Sequence, residues 1–255
     1  MDPWQRAIAF MRRIDERAAE QIVPFRWGRA LVDRRFKQVH DANYLLADRL
    51  AGADAIGLIA DAERIQGEAG LGHRRVNVDD QQVADRLRAD FVSRGYQAER
   101  FVLMMRGRST QAGSRNGVRA REVDWDAIRP ARERQRLREP WATPELVRQI
   151  LDRQRLIAAQ VATRYFAVLE DGQAVSSCEL RSADGAAQVE IVETLEAFRG
   201  HGYARAVVSA AVEAAKDTDF IFLVTDIDDW PQQLYRRLGF DDIGIETRFL
   251  RLLDG

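Results

Sequence analysis

Cysteine is almost absent from this sequence: Cys178 is the only one in 255 residues. A single thiol excludes an internal disulfide framework and a cysteine-based metal site. Histidine is nearly as scarce, and His40, His73 and His201 are scattered, so no histidine-rich metal centre is expected. Lysine is confined to Lys37 and Lys216; arginine carries nearly all the positive charge, as a high-GC coding bias would produce. No charge of one sign dominates either, since 39 Lys and Arg face 40 Asp and Glu for a net charge of −1. That balance argues against a dedicated nucleic-acid binder, which would show a basic face or tail. No apolar run approaches membrane-spanning length. The amphipathic start, Met1-Asp2-Pro3-Trp4-Gln5-Arg6, does not read as a signal peptide. The expectation is a soluble cytoplasmic protein that uses no metal, no nucleic acid and no membrane.

What is present is enough for real cores: 46% of the residues are hydrophobic, and the length allows one large domain or two ordinary ones. Trp4, Ala7, Ile8, Met11 and Ile14 fall at helical spacing, which predicts a first helix over 4–19, ended or followed by Pro24. Extended chain is expected at 25–32 and 39–47, a helix at 53–69, a short alternating strand at 74–78, a helix at about 80–93 and a strand at 101–105. Residues 107–119 hold three glycines and no apolar periodicity. They are the best linker in the chain. The expected division is therefore 1–107, a linker at 108–119, and 120–255.

The second half opens with a short strand at 121–124 and an arginine-rich stretch at 125–138. Thr143-Pro144-Glu145 is a helix start, threonine as cap and proline in the first turn. Asp171-Gly172 and Asp184-Gly185 are hairpin turns that make 165–195 a three-stranded antiparallel meander. The third strand runs into a short loop with Gly200 and Gly202, then into an Ala/Val-rich helix from Tyr203. That order makes an anion site. The first N–H groups of a helix lack partners within it, the helix dipole is positive there, and glycine lets a phosphate approach. Arg199 adds a positive charge at the mouth. An apolar strand at 220–225, a helix at 231–238, Gly239 and a last strand at 243–252 complete the chain.

Arg199-Gly200-His201-Gly202-Tyr203-Ala204 and Leu234-Tyr235-Arg236-Arg237-Leu238-Gly239-Phe240, one helix and one strand apart, resemble the two signatures of the GCN5-related N-acetyltransferases (GNAT). The resemblance covers roughly 120–253. Glu196 departs from the family's frequent proline, ahead of the first phosphate-facing amide. The resemblance implies an α/β fold with a mixed central sheet flanked by helices. It implies acetyl-CoA as cosubstrate, with its pyrophosphate at the amides of Arg199, Gly200, His201, Gly202, Tyr203 and Ala204. The pantetheine arm would run along the backbone of Glu193, Thr194 and Leu195. An amine, of a small molecule or a peptide, would attack the acetyl group directly in a ternary complex. Tyr235 would protonate the departing thiolate. The base is expected to be Glu190, which sits where members often carry an acidic residue; Asp226, Asp228, Asp229 or a water are the alternatives. Strict strand alternation puts Glu190, Val192 and Thr194 on one face and Glu193 on the other.

The first half echoes this weakly. Phe91-Val92-Ser93-Arg94-Gly95-Tyr96 looks like a blurred copy of Leu234–Phe240, with Phe91 near the tyrosine position, but no Arg-x-x-Gly-x-Ala motif precedes it. The chain thus resembles two-domain members of the family, here with a degenerate N-terminal copy, acting as a monomer or homodimer. Plainer readings stand beside these. Cys178 is expected to be a packed strand residue. The arginine run 129–138 is a solvated helix face or else an attractor for an acidic acceptor. A protein that keeps acyl-CoA binding without turnover would be a sensor or scaffold. A dinucleotide enzyme would need a Gly-x-Gly-x-x-Gly turn in a βαβ unit, against which the antiparallel meander speaks.

Overall fold

The structure, a computed structural model, describes residues 1–107 and 117–253. Most of the expected linker, 108–116, therefore lies outside the described residues. The chain divides into two units. The first comprises Met1–Val102, Asp226–Asp228 and Gly244–Gly255; the second comprises Leu103–Thr225 and Asp229–Ile243.

In the first unit, helix α1 (Pro3–Ala18) starts on a capping box in which Asp2 accepts from the Gln5 amide and Gln5 reaches back to Asp2. Strands β1 (Gln21–Phe25) and β2 (Gly28–Val32) form a hairpin, so the stretch read as extended from Phe25 is two strands with a turn between them. Pro24 does not stop the helix. It sits in β1, an edge strand, where a missing N–H is tolerated. Strand β3 (Tyr44–Ala47), helix α2 (Ala55–Glu68), strand β4 (His73–Val78), helix α3 (Gln81–Val92) and strand β5 (Gln97–Arg106) follow. β5 begins in this unit and ends in the second. β4 is buried on both faces, not alternately exposed. Its polar side chains go inside because they are paired: Arg74 with Glu63 at 2.7 Å and Arg75 with Asp41 at 2.9 Å.

The second unit contains β6 (Arg121–Val123), α4 (Trp125–Arg136), α5 (Pro144–Ala158), β7 (Ala162–Glu170), β8 (Gln173–Ala183), β9 (Ala186–Thr194), α6 (Tyr203–Ala214), β10 (Phe220–Asp226) and α7 (Pro231–Arg237). Strands β6 to β9 pair antiparallel in sequence order, and β10 joins β9 in parallel, so the sheet is mixed. Asp171 and Asp184 have φ of 49°, and Gly172 and Gly185 have 77° and 72°, the left-handed pair that a two-residue hairpin turn requires. Cys178 donates to Val207 O of α6, whereas its neighbour Glu179 bonds Arg132 of α4. Successive strand residues point to opposite faces, so α4 and α6 cover opposite sides of this sheet.

The last strand, β11 (Phe240–Leu252), starts in the second unit and from Gly244 onward belongs to the first. There it pairs antiparallel with β4, from Thr247↔Val78 to Leu252↔His73, while β3 pairs with β4 in parallel on its other side. Phe249 stacks on Phe91 with ring centroids 4.1 Å apart. Residues 244–253 thus complete the core of the first unit, although everything after 120 reads in sequence as a single domain. Among the described residues no helix is long and apolar enough to cross a membrane.

Candidate functional site

The loop into α6 takes the backbone conformation that its glycines allow. Gly200 and Gly202 have φ of 82° and 81°, a backbone conformation open to glycine at little cost. Gly202 is the N-cap of α6 and offers no side chain to the helix amides. The first helical bond runs from Ala206 N–H to Gly202 O at 3.1 Å. The amides of Tyr203, Ala204 and Arg205 lie ahead of it, where no helical carbonyl can reach them. His201 holds the loop through Nδ1, 2.9 Å from Arg199 O, and Arg199 is exposed. Tyr203 Oη donates to Glu170 at 2.5 Å.

The strand leading into this loop is irregular. β9 is in register with β10 from Phe220↔Ala186 to Leu223↔Val189. Just beyond, Ile191 has φ of 50°, an outlier for a β-branched residue. On the other edge the register with β8 steps from Glu179↔Glu190 to Ser177↔Glu193, three residues of β9 against two of β8. That is a bulge, and it bends β9. It also corrects the alternation argument. Residues directly opposite in an antiparallel pair share a face, so Glu190 and Glu193 both point to the α4 side with Glu179 and Ser177. Leu195 N–H donates to Val175 O at 2.9 Å and so serves β8. Backbone groups alternate edges along a strand, which leaves Thr194 as the residue whose N–H and C=O point away from β8. The Thr194 hydroxyl is 2.9 Å from Ser176 Oγ.

Tyr235 is buried on α7, 6% exposed, with its ring edge-on to Phe240. Burial pushes its pKa well above the usual phenol value, and Cys178, Glu190 and Asp229 add to the shift. The phenol is therefore a proton donor held neutral, within electrostatic reach of two of the expected carboxylates. Asp226 and Asp228 group with the first unit. Glu190 Oε1 accepts from Gln188 Nε2 at 2.5 Å. Cys178 is fully buried and burial raises its pKa, which makes it an inert packed thiol. Among the described residues no group of three or more His, Cys, Asp or Glu is arranged to hold a metal ion.

The arginine run is not a uniformly solvated face. Arg132 is 1% exposed and Arg136 is half-buried, whereas Arg134 and Arg138 are exposed. Arg132 Nη1 donates to Glu179 at 2.5 Å and to Gln154 at 3.3 Å, and Arg136 pairs with Glu193 at 2.8 Å. Burial opposes ionisation of Glu179, but Arg181 and Arg132 overcome it and hold its carboxyl below the usual range. Sequence reasoning passed over this cluster. The signal was the spacing: Trp125 and Ile128 begin an inward stripe whose next positions are 132 and 135.

The first unit repeats the local geometry around Tyr235 without its chemistry. Phe91 and Tyr96 meet edge to face at 5.1 Å across Gly95, φ 83°, as Tyr235 and Phe240 meet at 6.2 Å across Gly239, φ 81°. Upstream the two units differ. β3 stays paired with β4 to the last residue, Ala47↔Val78. The helix that follows β3 is capped by Asp54, which accepts from Gly57 N–H at 2.8 Å. A carboxylate there takes a helix amide and repels a phosphate.

Residues 125–240 match the Acetyltransferase (GNAT) family. In structure the chain is similar to a functionally unknown conserved protein from Staphylococcus epidermidis, with TM-score 0.71, 12% identity, and coverage of 92% of this chain and 94% of that one. It is also similar to a GCN5-related N-acetyltransferase from Kribbella flavida, with TM-score 0.62, 14% identity and coverage of 98% and 95%. A third similarity is to a tandem GNAT protein from the clavulanic acid biosynthesis pathway, with TM-score 0.51, 11% identity and coverage of 89% and 78%. At these identities the likeness is one of fold. No curated protein matches the sequence.

Proposed function

We propose that the second unit is an acetyl-CoA-dependent N-acetyltransferase and that the first is its degenerate partner in a tandem arrangement. The observation that carries the reading is the uncapped glycine N-terminus of α6 at the end of a strand that leaves its parallel neighbour after Val189. The residues fit the ligand. The amides of the Arg199–Ala204 loop and the start of α6 suit a pyrophosphate, and Thr194 suits the amides of a pantetheine arm, with Glu193 and Leu195 flanking it. Acetyl-CoA supplies an acetyl group activated as a thioester. Glu190 takes the proton that the acceptor ammonium must lose before its nitrogen can attack the acetyl carbon. As the C–N bond forms and the C–S bond breaks, Tyr235 Oη gives its proton to the departing sulfur. The raised pKa of Tyr235 keeps that proton in place at neutral pH.

The test is acetyl-CoA consumption over a panel of amines, wild type against Tyr235→Phe, with CoA binding measured in parallel. Turnover in the wild type that falls by roughly 10²- to 10⁴-fold in the variant, with CoA affinity retained, supports the assignment. Tight CoA binding with no turnover on any amine would favour a sensor. Thermal stabilisation by NAD and not by CoA would overturn the reading altogether. In the first unit, Asp54 at the helix that follows β3 supports the loss of cofactor binding.

A further inference from the structure

We infer that Glu170 is a positioning residue for the phosphate end of the cosubstrate site: it holds Tyr203, and through Tyr203 the first turn of α6, so that the free amides face the pyrophosphate. The inference rests on the acetyl-transfer reading above. The first turn of a helix is its least restrained part, because its N–H groups have no carbonyl inside the helix. A side-chain cap is the common restraint, and α6 has none: Gly202 stands at the cap position. Amides left open for a ligand therefore need restraint from elsewhere. Tyr203, the first residue of α6, supplies it. Its hydroxyl donates to Glu170 Oε1 at 2.5 Å. Glu170 is the last residue of β7, and Asp171-Gly172 turns the chain at once into β8, where Glu170 pairs with Gln173. The acceptor thus sits at a tight hairpin turn, which makes a firm anchor.

The Tyr203 ring also gathers the loop ahead of it. Phe198 lies at 26° to it with ring centroids 6.5 Å apart, and the His201 ring is 5.6 Å away at 36°. His201 Nδ1 in turn lies 2.9 Å from Arg199 O. Phe198, His201 and Tyr203 span the loop whose amides the pyrophosphate would use, so a tether on Tyr203 restrains all three. A carboxylate near an anion site would by itself weaken that site. Here it is engaged by a phenol, and an ionised acceptor makes such a bond roughly twice as strong as a neutral one. The role is geometric. It asks for an acceptor at this place, and an amide oxygen would serve for most of it.

The experiment uses the full chain. Calorimetry gives Kd for CoA. Steady-state kinetics gives KM and kcat for acetyl-CoA and for S-acetylpantetheine, a donor without the pyrophosphate and nucleotide. Glu170→Ala and Tyr203→Phe should each raise Kd for CoA about three- to tenfold, the scale of one partly exposed hydrogen bond to a charged group. The double variant should bind no more weakly than either single one, since both remove the same bond. Glu170→Gln should recover most of the loss. Glu170→Ala should raise KM for acetyl-CoA with kcat in place, and leave kcat/KM for S-acetylpantetheine unchanged, because only the phosphate end is disturbed. CoA affinity untouched by Glu170→Ala overturns the inference. So do additive losses in the double variant, a Glu170→Gln protein as weak as Glu170→Ala, or an equal loss with the truncated donor, which marks a general loosening of the fold. A wild type that binds no CoA sinks the acetyl-transfer reading and this inference with it. CoA affinity that depends on Glu170 as stated, with no transfer to any amine, sinks the transferase step alone and leaves the positioning role standing.

Discussion

Acidification offers a quantitative handle on the first unit through His73. The ring lies in β4, 1% exposed, with Nε2 3.0 Å from Asn43 O and its centroid 4.4 Å from that of His40. Burial lowers its pKa from 6.5 to about 4; His40, Arg75 and Arg74 push the same way, and only the Asn43 carbonyl opposes them. The native ring is thus neutral, with Nε2–H donating to Asn43 O. In the unfolded chain the same imidazole takes a proton near its ordinary pKa of about 6.5. Between those two values the unfolded state binds more protons than the native state, so stability falls as pH falls through that window. At 1.36 kcal/mol per unit the full effect is about 3 kcal/mol, of which about 2 kcal/mol is gone by pH 5. Burial also lowers the pKa of His40, with the same sign. Glu246, held at about 2 from an ordinary 4.5, titrates below the window. Urea unfolding at pH 7, 6 and 5, for wild type and His73→Gln, measures the difference. The glutamine amide still donates to Asn43 O but does not titrate. The wild type should lose about 2 kcal/mol from pH 7 to pH 5 and the variant clearly less. Parallel decline in the two proteins would refute the argument.

Three other outcomes follow from the packing and the cradle. Glu246 is fully buried between Arg12 at 2.5 Å and Arg248 at 2.7 Å, so Glu246→Gln should cost about 3–5 kcal/mol in urea unfolding by leaving the buried Arg12 and the half-buried Arg248 short of a countercharge. A Cβ at Gly57 would lie 2.1 Å from the Trp27 ring. Gly57→Ala should therefore destabilise by about 1–3 kcal/mol despite the better helix propensity of alanine, read as a lowered urea midpoint. Gly202→Asp would place a carboxylate at the start of α6; calorimetry should show at least roughly tenfold weaker CoA binding, and the φ of 81° at this position should also lower the melting temperature.

Much of the architecture was legible because its causes are local. Thr143-Pro144 starts α5, Asp171-Gly172 and Asp184-Gly185 turn the meander, and Gly202 opens α6, each through backbone preferences of a few adjacent residues. Tyr235 was legible for the same reason, as part of a short helix closed by Gly239. Less legible was anything that depends on a partner far along the chain. Alternation placed Glu190 and Glu193 on opposite faces. The bulge at Ile191 turns them to one, and a bulge exists only relative to the neighbouring strand. Arg132 read as one arginine among many. Its burial is decided by Glu179, 47 positions away, and by the helix stripe that carries it inward.

By itself, then, the sequence determined the order of most strands, turns and helices, the glycine loop before α6 and the tyrosine of α7, because these rest on local propensity and short-range sterics. The tertiary structure decided which residues share a face, which charges are desolvated and to which unit a strand belongs. Residues 244–252 follow the second half in the chain yet complete the sheet of the first, because a strand is held by its ladder with β4 and by Phe249 on Phe91. The burial of Arg132 has the same origin. A guanidinium is carried inward only where a countercharge meets it, here Glu179 on a strand 47 positions away.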